Sequence, residues 1–202
     1  MNKYIGFLMA MILGANAAAA DLQQPWLKPT AEGWTIKPLL NVGESVGKNN
    51  YRMVGVPDGL GAMDNGDGTL TILMNHELGK DQGKHRKHFG RGAFVSRWVL
   101  DISVLDIASL KVTQGEDQIS KVLLWLPDDK KHVNAVAYSF NRLCSADLPA
   151  QSALFDRASG KGFNGRLFMS GEEDRDGGRA FAHVVTGEGK GTSYELPYLG
   201  KF

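Results

Sequence analysis

The chain has 202 residues, a formal net charge of +1 and one cysteine, Cys144. That charge gives no support for nucleic-acid binding, and a lone cysteine excludes an internal disulfide. The length after any leader is enough for a real core and about one domain.

Residues 1–20 read as a secretory signal peptide. Lys3 forms a positive start, "YIGFLMAMILG" an apolar centre, and "ANAAAA" the small residues of a cleavage site after Ala20. The apolar run is about half the ~20 residues that a spanning helix needs. No twin arginine precedes it and no later stretch is long enough to span. The expectation is a secreted or periplasmic protein with no stable membrane insertion after cleavage.

Beyond the leader, "YRMVGV" is followed by the turn-rich "PDGLGAMDNGDG" and then by the apolar "TLTILM". Asp-Asn-Gly-Asp-Gly between apolar runs signals a hairpin, because Asn, Asp and Gly tolerate the positive φ of tight turns. The basic stretch "GKDQGKHRKHFGRG" reads as a solvated or anion-attracting loop. His85 and His88 lie among Lys and Arg, which oppose a bound cation. "AFVSRWVLDI" alternates as a strand with Phe94, Ser96 and Trp98 on one side. "ISKVLLWLP", "HVNAVAYSF", "GRLFMSG" and "RAFAHVVTG" are further short apolar runs, "SALFD" suits a short helical turn, and "DISVLDIASL" is ambiguous. Short strands between glycine-rich turns predict an all-β sandwich, barrel or propeller, and no clean repeat selects among them. The final "GTSYELPYLGKF" reads as a strand and a loop, which predicts the N-terminal part of a longer protein.

Three places carry chemistry. In "TLTILMNHE", strand alternation puts Leu73, Asn75 and Glu77 on one side and Ile72, Met74 and His76 on the other. Asn75 and Glu77 then present a carbonyl oxygen and a carboxylate, the hard donors that calcium prefers. A solvated strand end gives the same pattern. In "SGEEDRDGGR", Glu172, Glu173, Asp174 and Asp176 crowd four carboxylates that must be solvated or share a cation. Their spacing imitates an EF-hand loop, but the twelfth position is His183 and flanking helices are lacking, so that motif is rejected. Cys144 is either a small buried hydrophobe or a thiolate ligand for a transition metal. No G-x-S-x-G elbow or Ser-His-Asp pattern is present.

Taken together, "VPDGLGAMDNGDGTLTILMNHELG", "GAFVSRWVLD", "NRLCSADLP", "LFMSGEED" and "GRAFAHVVTGEGKGTSYELP" resemble the PhoX-type alkaline phosphatases, a family of secreted bacterial proteins. The resemblance spans residues 50–202. It implies an all-β, β-propeller-like fold, here incomplete, and hydrolysis of small phosphorylated substrates at a centre containing calcium and iron. By the same resemblance Asn75 and Glu77 lie at or beside the metal cluster, Glu172 or Glu173 supplies a carboxylate, and Cys144 is the iron thiolate. The family's cysteine usually sits in a Gly-rich, Thr-Pro-Trp-containing stretch, whereas "SADLPAQSALFDRASGKGFNG" follows Cys144 here. Members are usually exported by the twin-arginine route, and that signal is absent here. Two other readings of the same residues are a calcium-dependent propeller lactonase or arylesterase and a non-catalytic, calcium-stabilised binding module.

Overall fold

The computed structural model of the protein describes residues 27–104 and 106–199; the expected signal peptide and the final three residues lie outside this range. The described residues divide into two units, 27–38 in one and those from Leu39 onward in the other. Described residues 27–38 of the first unit carry no strand or helix. All strands described below belong to the second unit.

The architecture is all-β, and among the described residues there is no α-helix. In chain order the strands are β1 (Ser45–Val46), β2 (Tyr51–Arg52), β3 (Pro57–Asp64), β4 (Thr69–His76), β5 (Phe94–Asp101), β6 (Lys111–Asp117), β7 (Lys121–Leu126), β8 (Lys131–Asn134), β9 (Leu143–Asp147), β10 (Phe155–Asp156), β11 (Lys161–Gly162), β12 (Arg166–Glu172), β13 (Ala180–Thr186) and β14 (Thr192–Leu196). One sheet is a four-stranded meander in the order β3-β4-β5-β6. The other has six strands in the order β8-β7-β14-β13-β12-β9, antiparallel except where β14 runs parallel to β7. β1–β2 and β10–β11 are small separate hairpins.

The expected hairpin forms, but its first arm is not "YRMVGV". Asp64–Gly68 closes β3 onto β4, with Gly66 at φ 75° and Gly68 at φ 83°. The Asp64 and Asp67 side chains accept from the backbone N–H groups of Gly66 and Thr69. The glycine-rich "PDGLGAMD" is therefore a strand rather than a turn region. A Cβ at Gly59 would lie 2.5 Å from the Cys144 carbonyl, and one at Gly61 would lie 2.6 Å from Leu148 Cβ. Glycine is required there because β9, the edge strand of the second sheet, presses against β3.

Between the sheets lies one core. Leu73 and Val95 from the first sheet meet Val122, Leu143, Phe168, Phe181 and Val185 from the second, with Ile119 and Phe140 among them. Each large apolar side chain buried this way contributes about 1.5–3 kcal/mol. On the opposite face of β4 and β5, the expected alternation of Phe94, Ser96 and Trp98 holds. Trp98 donates to Ser96 Oγ, and His76 stacks on Phe94 at 4.1 Å. Arg86 lies over the other side of Phe94, 3.3 Å from the ring centroid, and pairs with Asp117. The basic loop is thus anchored rather than wholly solvated, and His88 is buried against Phe140. Of "SALFD", Ser152 and Ala153 belong to a single 3-10 turn over Gln151–Ala153, and Phe155 and Asp156 form β10.

Candidate metal centre

The strand junction described above gathers three ligand-type side chains. Asp58 sits at the irregularity between Pro57 and Leu60 on β3. Glu77 follows β4 directly, its N–H donating to Val56 O at 2.9 Å. Cys144 arrives on β9 from the other sheet. One ligand atom from each of the three lies within 4.8 Å of the others, and all three residues are half-buried. Two carboxylates and a thiol at that separation match the donors of a cation site, with sulfur favouring a transition metal such as iron and oxygen suiting calcium as well.

The local electrostatics agree with that donor set. The Cys144 thiol hydrogen-bonds to Asp58; that bond, partial burial, and the negative charges of Asp58, Glu77 and Glu173 push its pKa up to about 11. A thiol surrounded by carboxylates keeps its proton until a cation offsets the charge. Asn75 is fully buried, and its amide donates to the carbonyls of Cys144 and Ser145, each at 3.1 Å. Its Oδ1 is buried without a hydrogen-bond partner among the described residues. An unpaired buried carbonyl oxygen is costly, and a cation is one of the few partners that could satisfy it.

Arg142 lies beside this group. Its Nε and Nη2 donate to Glu77 Oε1 at 2.9 and 2.8 Å, and Nη2 also reaches Glu173 Oε2 at 2.5 Å. Those carboxylates raise the guanidinium pKa further.

The structure brings Glu77 and Cys144 together and adds Asp58, which lies in the glycine-rich "PDGLGAMD" whose composition reads as turn. The hairpin itself held the clue: counting back from its turn along paired strands puts Asp58 opposite the Asn75–Glu77 end. Asn75 ties the two sheets together through its amide N–H groups, while its Oδ1 has no partner among the described residues. His76 does face away, bonded to Val54 O and Ser96 Oγ, each at 2.8 Å. Glu173 reaches the group only through Arg142. Glu172 is placed apart from it. Its buried carboxylate accepts from Tyr138 Oη and from the Asn141 N–H, and burial raises its pKa against those bonds. It therefore fixes the loop that leads into Cys144.

No protein-family model, curated protein or solved structure matches the chain.

Proposed function

We propose that this protein is a secreted, metal-dependent phosphomonoesterase of the PhoX type, with Asp58, Glu77 and Cys144 holding the metal. The convergence of those three side chains from different sheets carries the reading. The topology supports the propeller expectation. Two antiparallel meanders, β3 to β6 and β9 with β12 to β14, meet at their first strands, as neighbouring propeller blades do around a central axis.

In this reading, bound iron or calcium would supply Lewis acidity toward phosphate oxygens and toward water. The chain's own residues arrange the site. Asn75 holds β9 against β4 through Cys144 and Ser145, so the thiol stays in register with Glu77. Arg142 fixes one oxygen of Glu77, leaving the other for a cation. Glu172 and Tyr138 hold the backbone at Asn141, immediately before Arg142. Water adds to phosphorus, the P–O bond to the leaving group breaks, and the water's proton ends on that oxygen to give the alcohol; no protein nucleophile is assigned.

The test is turnover of p-nitrophenyl phosphate by the full chain loaded with calcium and iron, and again after chelation. Metal-dependent release of p-nitrophenol supports the proposal. Absence of turnover despite bound metal contradicts it, and hydrolysis of lactones in preference to phosphomonoesters would identify a lactonase instead.

A further inference from the structure

Arg142 is held in a conformation that residues other than glycine rarely adopt, with φ 48°. Its N–H donates to Leu78 O and its carbonyl accepts from Glu173 N–H, each at 2.9 Å. The preceding residue is anchored as well: the Asn141 N–H donates to Glu172, and Asn141 Oδ1 accepts from Lys80 N–H. These bonds fix the backbone from which the guanidinium projects. Among the described residues its Nη1 takes no hydrogen bond, and the side chain is 48 % exposed.

With two carboxylates on it, the guanidinium has no net positive charge to offer an anion. A cation seated on Asp58, Glu77 and Cys144 would change that balance, because it offsets the charge of Glu77 and leaves Arg142 opposed by Glu173 alone. The Nη1 N–H groups left over can donate charge-assisted hydrogen bonds to an oxyanion such as a phosphoryl group.

We propose that Arg142 is a cation-gated anion receptor, whose free guanidinium edge binds the phosphoryl group of the substrate once the Asp58–Glu77–Cys144 site is filled. This inference rests on the metal-centre reading and names the residue that recognises the substrate's charged group. Binding of cation and anion is then coupled, and the coupling is reciprocal.

Calorimetric titration of inorganic phosphate into the full chain tests this, with calcium or iron present and after chelation, while metal content is measured in parallel. Phosphate binds at least about fivefold more tightly to the loaded protein, the lower end of couplings between sites. Compared at equal bound metal, Arg142→Gln removes that difference and Arg142→Lys retains part of it. Glu173→Gln releases the guanidinium from one carboxylate and tightens phosphate binding even without metal, an effect opposite to that of a merely structural loss. Equal phosphate affinity with and without bound metal, or unchanged coupling in Arg142→Gln, overturns the inference while leaving the metal centre standing. A folded wild-type chain that holds no metal overturns both.

Discussion

For the core histidines burial leads, and the neutral form is favoured where water is scarce. The Cys144 thiol instead keeps its proton chiefly because it bonds to Asp58, with partial burial and the neighbouring carboxylates adding to that, so at pH 8 little thiolate exists without metal. Alkylation by iodoacetamide at that pH is expected to be at least about tenfold slower than for a free thiol in solution. Replacing both Asp58 and Glu77 by their amides should speed it. A rate equal to that of free cysteine would contradict the charged surroundings described.

His76 makes the second residue-scale case. Burial lowers its pKa from 6.5 to about 4, although its bond to Val54 O opposes the change. The unfolded chain therefore binds a proton near pH 6.5 that the folded chain refuses until about pH 4. Stability from this group is full above pH 6.5 and is lost as the pH falls through that window. The loss amounts to roughly 3 kcal/mol. His183, fully buried between Ser170 and Ser193 and lowered to about 3, acts in the same direction. Urea midpoints should drop between pH 7 and pH 4.5, and His76→Gln should shrink that drop. A midpoint indifferent to pH in the wild-type protein would rule this out.

At the scale of elements, β3 decides whether the site exists. The close approach of β9 depends on a bare backbone at Gly59, where an added methyl group would meet the Cys144 carbonyl and Ala146. Gly59→Ala is expected to cost about 1–3 kcal/mol of stability, because the atoms in its way are largely backbone and cannot swing aside. It should also weaken metal binding, since Cys144 sits on the displaced strand. A variant with unchanged urea midpoint and unchanged metal content would mean that β9 does not rest on β3 as described. The same strand marks where sequence reasoning was limited. Alternation made β4 and β5 legible, and the Asp-Asn-Gly-Asp-Gly turn was legible from its chemistry. β3 was not, because its glycines follow from contact with a strand far along the chain, and local propensity reads them as turn. The buried position of His88 was hidden for a similar reason: Phe140, which covers it, is remote in sequence.

For the whole molecule, the two large sheets share one core and meet at their edge strands, with the ligand-type group at that seam. Of the three, Glu77 was readable locally, since it follows a strand end, whereas Asp58 lies in a stretch whose glycines read as turn and comes opposite that end only through the β3–β4 pairing. The arrival of Cys144 depends on how the second sheet docks, which no local pattern encodes. Glu172, a ligand by the family resemblance, has its carboxylate bonded to Tyr138 and the Asn141 backbone, contacts that no local pattern encodes. A cation at the seam would join the sheets, so binding should also raise the unfolding temperature by mass action, equivalent to about 2.7 kcal/mol at a hundredfold excess over Kd.

The central claim is that Asp58, Glu77 and Cys144 bind one metal ion. X-ray absorption at the iron edge of the iron-loaded full chain tests it most directly. The account predicts one sulfur scatterer at about 2.3 Å beside oxygen ligands, with the sulfur signal lost in Cys144→Ser. A shell of oxygen and nitrogen only, or a sulfur signal that survives that substitution, would contradict it.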